Sequence, residues 1–564
     1  MTLNMKRNIF YIVLCLCSAM AMAQETYESA QLATEDLNGT ARYIGMGGAM
    51  EALGADISTM GTNPAGIGMF RRSWIGISGG ATMQSGQGNN NTMVGVGTSN
   101  SKSNADMNQA GFIYSNQFSY NSHFNLGFNY HKSRNFNQII SAANSLNSAS
   151  SNKMSWMRGY NAGSNPDLAY PKNINSTGIT LQDYYNLRSV NDPIYDQFGS
   201  KDINFWNANA YNAQRENTGY ISEFDFNFSA NFNDRVYLGL TFGLKDVNYK
   251  SEYNYSEVLV SGPDNTPSYS PIGTYSFNEN RKISGTGFDL KFGAIIRPSE
   301  YSPFRFGLYM HTPTWYDLTC ESTLRTSTRV TVDGNTFDGP MRKYNPSDVS
   351  NSFRYDYRIV TPWKFGASIG HTFGKIVAIG ATYEYADYSA IKNRIKSGRI
   401  LRSYYDGWGV YTSSYNTYSD DTQMNNHTDK TLKGVSLVKI GIEVKPSQVI
   451  ALRAGYNYQS AIYKEDGKKS TTINAARSVG QDNSTQDYVN WKDTHRITFG
   501  MGFTFDKNWA LDLSYQYALQ NGDYHPFSSI TTTSTEADKS SCYDNPTTVK
   551  NRRHMINATL GYRF

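Results

Sequence analysis

"EFDFNFSANF", Glu223 to Phe232, is the stretch that decides the fold. Phe224, Phe226, Phe228 and Phe232 alternate with Glu223, Asp225, Asn227 and Asn231. A period of two puts the rings on one face of an extended strand and the charged and amide groups on the other. The pattern recurs. "RITFGMGFTFD" sets Ile497, Phe499, Met501, Phe503 and Phe505 in one row; "WALDLSYQYAL" does the same with Trp509, Leu511, Leu513, Tyr515 and Tyr517. "INATLGYRF" carries Ile556, Ala558, Leu560, Tyr562 and Phe564 to the end of the sequence.

A soluble sandwich alternates in the same way, so alternation alone leaves the class open. Three further features close it. The apolar rows stay free of charge for about ten residues, the length of a tilted strand crossing the hydrocarbon layer. Tyrosines gather at the ends of those rows, as in Tyr383/Tyr385, Tyr456/Tyr458 and Tyr515/Tyr517, where an interfacial girdle would stand. Fourteen strand segments, from about 73–84 to about 548–564, are joined alternately by tight turns and long connections. The turns are Asn121-Ser122, Asn233-Asp234, "RPSEYSP", Gly374, "KPSQ" and "DKN". An all-β, single-chain, 14-stranded antiparallel transmembrane barrel follows, occupying 73–564. Several segments exceed what a bilayer needs, so the barrel should project on its long-loop side. The largest connection, about 134–218, contains "NQIISAANSLNSAS" and "TGITLQDYYNLRSV". Both are compatible with short helices, and the whole reads as an external loop folded over or into the barrel mouth.

Composition agrees. The chain has 564 residues with 42 Tyr, 28 Phe, 8 Trp and 48 Gly, and its mean hydropathy of −0.55 excludes a bundle of membrane helices. The long apolar run is N-terminal: Lys6 and Arg7 precede "IFYIVLCLC", with Ala21 and Ala23 before a small-residue cleavage point. Residues 1–23 therefore read as a cleaved secretory signal peptide. Taking Lys6 and Arg7 from the 52 basic residues leaves a surplus of three over the 47 acidic ones, too small for a nucleic-acid binder. Cys320 and Cys542 remain after cleavage; in an oxidising compartment they either pair or stand as two free thiols.

Fourteen strands enclose a bore too wide for wall side chains to fill. The preceding segment, 24–72, lacks strand alternation and is rich in small residues, with a glycine elbow at Gly45–Ala49 and an Asn63-Pro64-Ala65 corner. It reads as a compact plug inside the lumen. Gly45–Ala49 is no phosphate loop, because no strand precedes it and no Lys follows in place. Asp56 is placed either to cap the turn after it or to take part in gating.

"ARYIGMGGAMEALGADISTMGTNPAGIGMF", Ala41–Phe70, resembles the hatch signature of the FadL/TodX family of outer-membrane transporters for hydrophobic compounds. The matching elements are Gly45-x-Gly47-Gly48-Ala49, Ala52, Asp56 and Asn63-Pro64-Ala65. The resemblance implies a hatch-gated barrel for passive uptake of long-chain fatty acids or similar molecules, with Gly45, Gly47, Gly48, Ala49, Asp56, Asn63, Pro64 and Ala65 as hatch residues. Outer loops would catch the molecule, a pocket against the hatch would hold it, and a hatch rearrangement would release it sideways into the membrane. Outer-membrane lipid and an apolar substrate are the partners expected of a monomer in the bacterial outer membrane.

No catalytic constellation stands out, and nothing calls for a cofactor. His131, His311, His371 and His495 lie on separate segments without ligand spacing. Glu223, Asp225, Lys291, Glu443, Arg453 and Arg496 fall on inward faces and read as pore-lining polar groups. The rival reading is a surface receptor or adhesin, for example one binding haemin, that uses long loops on a barrel anchor.

Overall fold

The structure, a computed structural model, describes residues 25–87, 101–161, 205–260, 271–332, 335–343, 353–405, 410–469, 486–506, 508–535 and 540–564. The signal peptide and "TGITLQDYYNLRSV" lie outside them.

The alternating segments form one closed antiparallel barrel. Its membrane strands are β1 Trp74–Gln87, β2 Ser101–Ser119, β3 Ser122–Asn135, β4 Asn207–Phe232, β5 Val236–Val260, β6 Pro271–Ile296 and β7 Arg305–His311. The circuit continues with β8 Lys364–Phe373, β9 Val377–Asp387, β10 Gly434–Val444, β11 Ile450–Gln459, β12 Tyr488–Thr504, β13 Trp509–His525 and β14 Thr547–Arg563. β1 bonds β2 on one side and β14 on the other, with Trp74 opposite Arg563 and Gln87 opposite Lys550. Closure removes the free edges that an open sheet would expose. Asn121, Asn233, Asp234 and Gly374 sit at the short turns with φ between 52° and 60°, the left-handed conformation that two-residue hairpins require.

The period of two sorts the two surfaces. Ile497, Phe499 and Met501 on β12, Leu513 and Tyr515 on β13, and Ile556 and Leu560 on β14 are exposed outward, while Thr498, Ser514, Asn557 and Thr559 are buried inward. On β5 the outward row runs Leu238, Phe242, Leu244 and then Asp246, Lys250 and Glu252, so the apolar belt ends near residue 245. β4, β5 and β6 have 26, 25 and 26 residues, about 65 Å at a tilt near 40°, against about 25 Å of apolar band. The barrel projects well beyond the belt. Among the described residues no helix is long and apolar enough to cross a membrane.

Two expectations need correction. Within the expected 134–218 loop, "NQIISAANSLNSAS" is not helical: Gln138–Ala149 continues β3 as a strand, pairing from Gln138↔Asn217 to Ala149↔Ala208. A Ser/Asn/Ala run has weak preference of its own, and the exposed ladder of the long β4 captures it. The helix, Ser151–Asn161, begins where that strand stops. Two of the fourteen strand segments that the sequence pattern marks, about 303–328 and about 350–373, are each broken, at Thr312-Pro313-Thr314 and Thr361-Pro362-Trp363. Proline cannot donate to a ladder, and both interruptions fall on one. Above them Trp315–Val332 and Phe353–Val360 pair with each other outside the belt.

Because Phe499 is 55% exposed toward lipid, Phe499→Arg should lower the stability of the bilayer-folded barrel by about 2–4 kcal/mol. Denaturant titration of barrel refolding into lipid vesicles would read it.

Candidate functional site

Residues 25–70 fill the lumen as a chain of capped short turns. In α1, Thr26–Ala33, Glu25 caps the N-terminus by accepting from Tyr27 N and Glu28 N. Thr40 caps α2, Ala41–Gly45, through Tyr43 N. Asp56 accepts from Ser58 N at 3.0 Å and from the Thr40 hydroxyl at 2.8 and 2.9 Å, so it ties two turns of the plug together. Asn63 caps the turn Pro64–Met69 through Ala65 N, and its amide donates to Glu51 O at 3.0 Å. Gly47 and Gly48 take φ of 63° and 81°, which a side chain would resist.

The plug backbone lies directly on the wall. A Cβ built at Gly455 would stand 2.2 Å from Gly47 N, one at Gly441 2.2 Å from Met46 O, and one at Gly380 2.1 Å from Ala49 O. On the opposite side, Cβ atoms at Gly239 and Gly293 would fall 2.4 Å from Ala65 N and 2.0 Å from Asn63 Oδ1. Gly45 faces Gly500. The wall glycines are in register across strands: Gly370↔Gly380, Gly380↔Gly441 and Gly441↔Gly455 on β8–β11, and Gly239↔Gly293 on β5 and β6. The structure thus places every hatch residue of the sequence reading in one belt of plug–wall contact, apart from Asp56, which works within the plug. The wall glycines were missed, although their signal is visible: an inward-phase Gly inside each apolar row, as in "YLGLT", "AIGATY" and "RAGYNY".

Ion pairs add to this contact. Glu51 is fully buried and takes Lys439 Nζ at 2.7 Å, the Thr382 hydroxyl at 2.7 Å and the Tyr43 hydroxyl at 3.1 Å. Arg42 reaches Glu443 at 3.1 Å, which Arg453 also reaches at 2.6 Å. Glu28 pairs with Arg281, Glu35 with Lys245 and Lys364, and Asp36 with Arg134. Of the six lumen residues read from the sequence, Glu223, Asp225 and Lys291 form one cluster with Lys245, Asp289 and His131. Glu443 and Arg453 form another. Arg496 bonds the amides of Asn457 and Gln459. All six are buried against partners, and Arg496 also lines the cavities beside the plug. His131, Glu223 and Asp225 come close enough to suggest a metal site, but the Lys291 ammonium already touches both carboxylates. His311 instead contacts Thr62 O at 2.7 Å. Cys320 and Cys542 are both free and buried, packed in separate clusters.

Between α1, the residues that follow it and the barrel wall lies a cavity of about 210 Å³. Tyr27, Phe136, Ile140, Ile462, Tyr463 and Trp491 are among its apolar lining; Arg134, Arg215 and Arg281 line it paired with Asp36, Asp487 and Glu28, and Arg496 and Arg553 line it as well. α3, Ser151–Asn161, forms a roof at the outer end of the barrel, where its Met154, Trp156 and Met157 pack with Tyr211, Tyr255, Tyr524 and Phe527. Glu257 is buried in that roof, accepting from Ser151 N at 2.5 Å and the Tyr255 hydroxyl at 2.6 Å on Oε1. Its Oε2 has no hydrogen-bond partner among the described residues.

Comparison with solved structures finds long but dissimilar alignments. The CymD monoaromatic hydrocarbon channel matches at 10% identity and a TM-score of 0.44, covering 94% of this chain and 98% of its own. A Pseudomonas aeruginosa FadL homologue matches at 12% and 0.46, covering 97% and 100%. The Pseudomonas putida toluene transporter TodX matches at 13% and 0.42, covering 94% and 99%. No protein-family model and no curated protein matches the chain.

Burial raises the Glu257 carboxyl to about 7, against the two hydrogen bonds that favour its charged form. The folded roof therefore prefers the protonated acid. That contribution is complete below the ordinary carboxylate range and is lost as pH rises through about 7. Amide exchange of 151–161 should accelerate between pH 5 and pH 8 beyond its intrinsic pH dependence. Glu257→Gln should flatten the excess.

Proposed function

We propose that this chain is an outer-membrane channel for passive uptake of hydrophobic small molecules, long-chain fatty acids or similar compounds, with residues 24–72 as its hatch. The observation that carries the reading is the cavity between plug and wall, whose lining combines aromatic and aliphatic side chains with eight Lys and Arg against four Asp and Glu. A molecule with a greasy body and an acidic end would find both halves of its surface matched there. The hatch resemblance over Ala41–Phe70 supports the same reading.

The way down is closed to such a molecule. Below the cavity, a second one of about 90 Å³ is lined by Glu35, His131, His311, Lys364, Lys439 and Arg496, a path hostile to hydrocarbon. Release on this reading requires the plug to shift, with Gly45, Gly47, Gly48, Ala49, Asn63, Pro64 and Ala65 as the contact that slides and Asp56 holding the plug together. Nothing in the sequence supplies energy coupling, so flux follows the gradient. No catalytic role is assigned.

Cells lacking the protein, and cells restored with it, should differ in uptake of radiolabelled long-chain fatty acids. Gly47→Val and Pro64→Leu should each lower that uptake at least fivefold while the barrel keeps its folded, heat-modifiable migration on gels. Equal uptake with and without the protein, for fatty acids and for aromatic hydrocarbons, would end this reading. Silent plug substitutions together with loop deletions that abolish ligand binding would favour a surface receptor.

A further inference from the structure

Two adjacent hairpins carry the same device at the outer edge of the apolar belt. On β11 and β12, Tyr456 and Tyr458 flank His495, with Tyr458 directly opposite His495 and the Tyr456 hydroxyl 2.7 Å from its Nδ1. On β13 and β14, Tyr515 and Tyr517 flank His554 in the same register, with the Tyr515 hydroxyl 2.8 Å from Nδ1. The copies differ two residues before the histidine. In the first, Asp493 takes His495 Nε2 at 2.7 Å and closes the site. In the second, that place is Arg552, and Lys550 follows two residues further out on the same face.

The second copy therefore sets three basic groups in a row, and Asp523, opposite Thr548 at the next outward position beyond Lys550, is already paired with Lys492. Its cross-strand neighbours are Tyr517, Leu519 and Asn521 on β13 and Met83, Ser85 and Gln87 on β1, none of them acidic. Arg552 Nε is buried without a hydrogen-bond partner among the described residues. Several outward cations elsewhere stand with acids, Arg354 with Glu321, Arg358 with Asp317, Arg394 with Asp420 and Lys492 with Asp523, whereas Lys250 and Lys282 face each other across β5 and β6. Below the patch Ile556 projects outward, and beside it the outward positions Ala81, Gly79 and Ala558 are small; this narrow furrow leads to a lipid-side groove of about 560 Å³ lined by Ile75, Ile77, Met107, Phe112 and Leu560.

We propose that Lys550, Arg552 and His554 bind the phosphate of an outer-leaflet glycolipid headgroup, with an acyl chain lying in the furrow below. Guanidinium and ammonium groups at the boundary of the hydrocarbon layer meet phosphate oxygens there with charge-assisted bonds. The buried Nε of Arg552 gains a partner, and the groove is covered by hydrocarbon of matching chemistry. This rests on the outer-membrane reading of the barrel but not on what the lumen carries.

The test is native mass spectrometry of the full-length barrel in detergent, offered phosphorylated lipid A, the same lipid with its phosphates removed, phosphatidylglycerol, or inorganic phosphate as competitor. The wild type should retain phosphorylated lipid A at least tenfold better than the dephosphorylated form or phosphatidylglycerol. The double variant Lys550→Gln with Arg552→Gln should lose that preference, and Arg354→Gln should keep it. Heat-modifiable migration verifies folding of each variant. Equal retention of the two lipid A forms, equal retention by the double variant, retention of phosphatidylglycerol at the same level, or full displacement by millimolar phosphate would each overturn the proposal. Fatty-acid uptake by the double variant should match wild type, so failure of the transport reading and failure of this one give different results.

Discussion

Backbone-on-backbone contact between plug and wall is the constraint on which this molecule depends. Gly47 lies against Gly455, Met46 against Gly441 and Ala49 against Gly380, at separations no side chain would permit. A barrel of fourteen strands has room inside for something, but not for a second layer of large side chains all round. Stripping the wall to glycine along a register row lets the plug approach as another strand would. Each of those glycines would weaken a soluble sheet; here each makes room for the partner that fills the bore.

The same closeness explains the buried charge. A transmembrane barrel turns its polar face inward, so its lumen must satisfy carboxylates and ammonium groups without bulk water once a plug is in place. Glu51 with Lys439, Arg42 with Glu443 and Glu35 with Lys245 and Lys364 each join a plug residue to a wall residue. Removing one partner of such a pair leaves an uncompensated buried charge, at a cost of about 3–5 kcal/mol. The plug is thus held by contacts that are specific in position and expensive to break singly. A movement that exchanges whole pairs for water costs less than any one deletion suggests.

The barrel was legible because a period of two is dictated strand by strand, and Phe224, Phe226 and Phe228 announce it without help from the rest of the chain. The plug was legible by exclusion: fourteen strands leave a hole, and residues 24–72 do not alternate. Two things were not. "NQIISAANSLNSAS" carries no preference of its own, and only the length of β4 beside it makes it a strand. The pairs Glu51–Lys439 and Glu28–Arg281 join residues 388 and 253 positions apart. Nothing local marks either member as belonging to the other. The wall glycines lie between these cases: each is visible in its own strand, but their row appears only once the register is known.

The central claim is that passage requires the plug to leave this contact. Cysteines placed by Glu51→Cys and Lys439→Cys can be joined by a short bifunctional thiol reagent whose link is cleaved by reductant, with Cys320 and Cys542 replaced by serine. The measurement is fatty-acid uptake by cells carrying that protein before cross-linking, after it, and after cleavage. The account predicts that uptake falls to the level of cells without the protein when the tether is closed and returns when it is cut. Undiminished uptake through a fully tethered barrel would contradict it.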